Sequence, residues 1–140
     1  MSPKLFVTWL TVSGALIGSL AGCGSSEVPL SPVRGRVLLN GQPLVDAIVE
    51  FQPSGKSPSI GVTDEDGYYQ LQYSKDRWGA VVGEHLVKID HDVDGREGRN
   101  SLVRVPARYN VRSQLKREVK SGSNSFEFDL TGDVRTASSN

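Results

Sequence analysis

Val33-Arg34-Gly35-Arg36-Val37-Leu38-Leu39-Asn40-Gly41-Gln42-Pro43-Leu44-Val45-Asp46-Ala47-Ile48-Val49-Glu50-Phe51 is the stretch on which the fold turns. Its hydrophobic period is two: Val33, Gly35, Val37 and Leu39 fall on one side of an extended chain and Arg34 and Arg36 on the other, the pattern of a half-buried strand. Asn40-Gly41 follows at once, the pair best able to take the positive φ angles of a tight hairpin turn. Alternation resumes over residues 46–52, with Ala47, Val49 and Phe51 inward and Glu50 outward, until Pro53-Ser54-Gly55 closes the strand. A third run, residues 59–63, ends at Asp64-Glu65-Asp66-Gly67, where aspartates can bond neighbouring amides and glycine can turn left-handed. Residues 68–73 put Tyr69, Leu71 and Tyr73 on one face, and residues 83–90 put His85, Val87 and Ile89 opposite Leu86 and Lys88. Residues 115–120 and 125–130 complete the set across Ser121-Gly122-Ser123-Asn124. Seven short strands, turn signals every ~8–12 residues and no helical period predict an all-β sandwich.

Composition agrees with one such domain. Across 140 residues the hydrophobic share is 37%, the charged share 23% with 16 basic and 16 acidic groups, and the mean hydropathy −0.30. These values exclude a multi-span membrane protein and a highly charged disordered chain, and they give no global charge argument for nucleic acid. A body of about 100 residues can bury enough surface to be stable without a disulfide.

The beginning of the chain follows another logic. Met1-Ser2-Pro3-Lys4 is basic, and the apolar run over residues 5–20 is interrupted by Thr8, Thr11, Ser13, Gly14, Gly18 and Ser19. It is short and diluted beside the ~20 apolar residues of a bilayer span, and reads as the core of a signal peptide. Leu20-Ala21-Gly22-Cys23 resembles the lipobox of bacterial lipoproteins, and that resemblance implies removal of residues 1–22 and acylation of Cys23 with palmitate-like chains. Cys23 is the sole cysteine, and thioether lipidation accounts for an odd thiol in an exported chain. Two or three acyl chains, at ~0.8 kcal/mol per buried methylene, anchor a protein effectively for good. Gly24, where an aspartate would mark inner-membrane retention in that family, points to the outer membrane. Residues 23–32, rich in Ser, Pro and Gly, read as the lipidated tether, residues 33–131 as the sandwich, and 132–140 as a disordered tail.

A second resemblance covers most of the body. Val33-Arg34-Gly35-Arg36-Val37, Asn40-Gly41-Gln42-Pro43-Leu44, Ala47-Ile48-Val49-Glu50-Phe51, Thr63-Asp64-Glu65-Asp66-Gly67-Tyr68-Tyr69 and Gly83-Glu84-His85-Leu86-Val87-Lys88-Ile89 occur in the order seen in the carboxypeptidase regulatory-like, transthyretin-like domain. Pro106-Ala107-Arg108-Tyr109-Asn110 and residues 124–130 also resemble short bacterial lipoproteins built of this domain alone. The resemblance implies a seven-stranded Greek-key, prealbumin-like sandwich with a non-catalytic accessory or binding role, and it names no ligand.

The inventory for catalysis is thin: His85 and His91, and no cysteine beyond Cys23. No serine stands in a nucleophile-elbow pattern, and a hydroxyl needs a positioned base. Transthyretin-like hydrolases of urate breakdown end in Tyr-Arg-Gly-Ser, whereas this chain ends Ser138-Ser139-Asn140. A hydrolase with His85 or His91 as base is the weakest reading, and His85 beside Val87 and Ile89 reads as a core or rim residue.

Two binding chemistries remain open. Asp90, Asp92 and Asp94, followed by Gly95, reproduce the first half of an EF-hand calcium loop, since oxygen ligands at alternate positions can wrap one ion. Position twelve of that loop is Ser101 rather than a bidentate glutamate, and a solvated acidic turn is the plainer account. Trp78, Tyr68 and Tyr73, near strand ends, are the second candidate: aromatic faces there can stack on sugar rings, or can simply be strand packing. No other cofactor is expected. Residues 40–95 carry ten acidic against four basic groups and residues 96–120 eight basic against two acidic, an asymmetry that internal pairing or an anionic surface would satisfy. The stretch 91–113 has no period and exceeds an ordinary loop.

The sequence therefore describes an acylated, non-enzymatic module of the cell envelope whose partners are the membrane, through Cys23, and an envelope protein or glycan. Intact-mass analysis of the membrane-extracted protein is expected to give a chain that starts at Cys23 and carries acyl mass. Cys23→Ser is expected to abolish both the acylation and the recovery in the membrane fraction.

Overall fold

A computed structural model describes residues 27–91 and 104–132. Among them are β1 (Leu30–Ser31), β2 (Val33–Leu39), β3 (Gln42–Pro43), β4 (Ala47–Pro53), β5 (Ser59–Val62), β6 (Tyr68–Gln70), β7 (Gln72–Ser74), β8 (Arg77–Trp78), β9 (Ala80–Val81), β10 (Gly83–His91), β11 (Leu115–Val119) and β12 (Asn124–Leu130). A 3-10 turn over Ala107–Tyr109 precedes β11, and no α-helix occurs among the described residues. Six strands run in the order β11-β10-β4-β5-β7-β8, a four-stranded sheet joins β12, β2, β3 and β6, and β1 pairs with β9. All pairings are antiparallel except β12 with β2.

Six of the seven expected strands are present as single strands, and the alternation read from the sequence sets the faces. Val33, Val37 and Leu39 of β2, Ala47, Val49 and Phe51 of β4, and His85, Val87 and Ile89 of β10 are all buried. Between the sheets Phe51 is the centre: its ring lies 5.6 Å from Phe126, 6.3 Å from Phe128 and 5.7 Å from His85. The packed sheets make an all-β sandwich. Asn40 (φ 52°) and Gly41 (φ 78°) turn β2 into β3 as their residue types predict.

Two features exceed the sequence reading. Residues 68–73, expected as one strand, divide at Leu71: β6 pairs with β2, and β7 pairs with β5 in the other sheet. Leu71 donates its amide to Val33 O and accepts from Gly79 N, so one buried residue is bonded on both sides of the crossing. Residues 30–32, read as tether, are bonded to the body. Leu30 is paired with Val81, Pro32 O accepts from Asn124, and the Arg77 guanidinium donates to Val28 O at 2.6 Å. Gly132 is likewise tied to Asn40 by reciprocal side-chain bonds.

The parallel pair is held by a glycine that an aromatic ring covers. Gly35 faces Tyr69 across the β2–β6 register, and a Cβ at Gly35 would lie 1.7 Å from Phe126 O and 2.8 Å from the Tyr69 hydroxyl. The absent side chain lets the Tyr69 ring lie over β2 and donate to Phe126 O at 3.0 Å. Gly35→Ala is therefore expected to cost about 3 kcal/mol or more, because the collision is with backbone and no rotamer relieves it. Tyr69→Phe is expected to cost only ~1–2 kcal/mol, the loss of one hydrogen bond to a partly buried carbonyl. Urea unfolding of both variants, read as midpoint shifts at constant m, tests this order.

Candidate functional site

Outward alternation along the divided segment places Tyr68, Gln70 and Gln72 on the solvent side, while Tyr69 and Leu71 point in. At ~3.3 Å per residue the three span roughly 13 Å. Gln72 is opposite both Ile60 of β5 and Trp78 of β8, which carries the row onto the edge strand. Gly61 makes the join between the sheets close: a Cβ there would lie 2.6 Å from Gln70 O, so only glycine lets β5 and β6 approach as they do. Its neighbours Ile60 and Val62 face outward, 43% and 57% exposed, with Tyr68 at 53% and Trp78 at 54%.

The result is a continuous strip with two shallow depressions. One, of about 410 Å³, is lined by Arg34, Val62, Tyr68 and Gln70, and the other, of about 560 Å³, by Val62, Gln70, Gln72, Tyr73 and Trp78. Val62 and Gln70 belong to both, so the depressions are two parts of one surface. Two guanidiniums pack on the strip's tyrosines. The Arg36 guanidinium lies 5.1 Å from the Tyr68 ring centre while its Nε donates to Asp66 O, and Arg77 lies 5.5 Å from the Tyr73 ring. Trp78 has no aromatic or cationic partner among the described residues. Gln70 and Arg34 have unused polar groups, and Gln72 donates to Lys75 O through Nε2, which leaves its carbonyl oxygen open. Open aromatic faces beside unspent amides suit flat, hydroxylated ligands.

Of the residues singled out in sequence, Tyr68, Tyr73 and Trp78 are thus brought together on one surface. Tyr73 is only half-buried rather than fully inward, because a bulge between Gln72 and Ser74 breaks the alternation. Gln70, Gln72, Ile60, Val62 and Arg34 complete the strip. Their signal was present in the period-two outward positions, but the crossing at Leu71 that aligns them was not.

Of the acidic candidates, only Asp90 is among the described residues. Asp90 accepts from the His91 amide at 2.8 Å and from Asn110 Nδ2 at 3.3 Å, while Asp92 and Asp94 lie outside the described residues, as does Cys23. Asp64 acts as a turn residue: one carboxylate oxygen accepts from the amides of Asp66 and Tyr68. His85 is 1% exposed, with Nε2 against Val81 O at 2.6 Å and its ring on Phe51, a packing position no dissolved substrate reaches. At the far end of β12, Arg108, Tyr109 and Thr131 form a small cluster: the Arg108 guanidinium donates to Thr131 O and Oγ1, and the Tyr109 hydroxyl receives the Thr131 amide. Those bonds to Thr131, with Arg108 adjacent, pull the Tyr109 phenol down to about 8. Burial pushes the Tyr69 phenol far up, against a smaller opposing pull from Arg117.

No protein-family model matches the chain, and no curated protein matches it. Among solved structures it is similar to a DUF3823 family protein from Parabacteroides merdae, with 18% identity and a TM-score of 0.44. That similarity covers 75% of this chain and 47% of the other, so the chain spans about half the length of the structure it matches.

The two perturbed phenols give an optical test. Absorbance titration of the four tyrosines is expected to show one phenolate forming near pH 8, and Tyr69 ionising only as the domain unfolds. Arg108→Ala combined with Thr131→Val is expected to move the early step upward toward the ordinary tyrosine range, since both remove donors that favour the phenolate.

Proposed function

We propose that this chain is an envelope lipoprotein, held by acyl chains on Cys23 at the outer membrane, whose non-catalytic carboxypeptidase regulatory-like sandwich binds glycan along the Tyr68–Trp78 strip. The observation that carries the reading is the strip itself: three aromatic side chains, two outward glutamines and two exposed aliphatics on one surface that spans both sheets. Sugar rings present apolar faces rimmed by hydroxyls. Tyr68 and Trp78 offer the faces to stack on, and Gln70, the Gln72 carbonyl and Arg34 offer partners for the rim.

The arrangement supports binding over catalysis by its shape as well. The strip is open to solvent, while the one imidazole fully packed in the body, His85, is buried on the inward face of β10. A surface of this kind holds an extended chain by repeated weak contacts, and the tether supplies the rest by keeping the module at the place where such chains are displayed.

Retention on immobilised envelope polysaccharide and on peptidoglycan tests this. Wild-type protein is expected to be retained. Trp78→Ala is expected to weaken retention about thirtyfold, equivalent to ~2 kcal/mol for a central aromatic anchor, and Gln70→Ala to weaken it less. Failure of wild type to bind any of these glycans would end the glycan reading while leaving the lipid anchor to its own test.

A further inference from the structure

The five lysines among the described residues divide into two groups. Lys88 is paired with Glu50 at 3.4 Å and Lys116 with Glu84 at 3.1 Å, both on the outward face of the six-stranded sheet. Lys56, Lys75 and Lys120 are exposed, and their ammonium groups have no hydrogen bond or ion pair. The register puts these three at one end of the sandwich. Lys56 is in the turn after β4, whose last residue Pro53 faces His85 near the start of β10. Lys120 follows β11, whose last residue Val119 faces Gly83, and β12 then begins opposite Val33 at the start of β2. Lys75 is in the β7–β8 turn, beyond the level at which Gln72 meets Ile60.

The N-terminal segment is bonded at that same end. Leu30 is paired with Val81, the next residue is the exposed Val82, and Pro32 O receives both the amide and the side chain of Asn124. Cys23 is seven positions before Leu30, at most about 25 Å of chain, so an acyl group on Cys23 would keep this end near the bilayer. The acidic groups here are Glu27, Asp76, Glu118 and Glu84, the last paired with Lys116, against Lys56, Lys75, Lys120, Arg34 and Arg77. The tight turns at the opposite end carry Asp46, Asp64, Glu65 and Asp66 and no lysine, while its longer β10–β11 connection contributes Arg104, Arg108 and Arg112.

We propose that the end of the sandwich bearing Lys56, Lys75 and Lys120 lies against anionic lipid headgroups of the bilayer in which the Cys23 acyl chains sit. The inference rests on the lipoprotein reading and deepens it, turning a flexible tether into an oriented contact. Unpaired ammonium groups on three separate turns, all facing the side from which the tether leaves, are the complement of a negatively charged plane. Each lysine contributes roughly a fivefold preference for an anionic surface, and the three together roughly a hundredfold.

The test uses acylated protein, which starts at Cys23 and so keeps Trp78, two residues beyond the Lys75–Asp76 turn, as its only tryptophan. Reconstituted into vesicles of phosphatidylcholine with phosphatidylglycerol, Trp78 emission is expected to be quenched by headgroup spin-labelled lipid. Quenching is expected to fall to the level seen in pure phosphatidylcholine for Lys56→Gln/Lys75→Gln/Lys120→Gln, and also at high salt. Lys88→Gln/Lys116→Gln, on the sheet face, is expected to leave it unchanged. Protein that sediments with the vesicles but is quenched equally in both lipids, or whose triple variant behaves as wild type, overturns the headgroup contact alone. Protein that does not sediment overturns the anchor, and the contact with it.

Discussion

Everything distinctive about this surface depends on one residue at which a strand changes sheets. Leu71 is fully buried, its amide bonded to Val33 in one sheet and its carbonyl to Gly79 beside the edge strand of the other. Because the chain stays extended through that point, the outward side chains before and after it remain in line. Tyr68 and Gln70 face out from the four-stranded sheet and Gln72 from the six-stranded one, yet they form a single row. Gly61 is the second half of the constraint, since any side chain there would hold β5 away from the Gln70 carbonyl and open the seam. A sandwich normally separates its two outer faces by an edge. Here that edge is closed by one continuous segment, and the aromatic strip runs over it.

The sheet faces were legible because alternation is a local property enforced by a global cost. Shifting β4 or β10 by one residue would expose Val49, Phe51, Val87 and Ile89 together and bury Glu50 and Lys88, so register and burial follow directly from the order of residues. Turn chemistry was equally readable at Asn40-Gly41 and at Asp64–Gly67, where the Asp64 carboxylate satisfies the amides its residue type is suited to satisfy. What the sequence did not display was pairing at a distance. The four two-residue strands, the attachment of Leu30 to Val81 and the division at Leu71 all depend on which backbones meet, and two residues are too few to carry a period.

The candidate surface was half legible for the same reason. Tyr68, Tyr73 and Trp78 stand out as aromatic residues near strand ends, and all three line the strip. Gln70 and Gln72 carry no signal of their own, because a glutamine facing solvent is what any strand shows; they matter only once the crossing places them between two aromatic ends. His85 shows the converse. Its residue type advertises chemistry, but its place on the inward face of β10 beside Phe51 gives it a packing role. Residue type proposes a function here, and the face decides whether solvent can reach it.

Arg77 joins the strip to the tether. Its guanidinium lies over the Tyr73 ring and at the same time donates to Val28 O, so the aromatic wall of the larger depression and the first described turn of the N-terminal segment share one cation. Gly79, two residues on, packs so tightly on Ser31 that a Cβ would come within 2.4 Å of its carbonyl oxygen, which fixes β1 against the base of β8. Residues 28–32 are therefore joined to the strip through the β1–β9 pairing, the Gly79–Ser31 contact and the Arg77 guanidinium. If the lysine-bearing end rests on lipid, the row from Trp78 to Tyr68 follows the strand direction away from that end. It would then run away from the bilayer rather than along it.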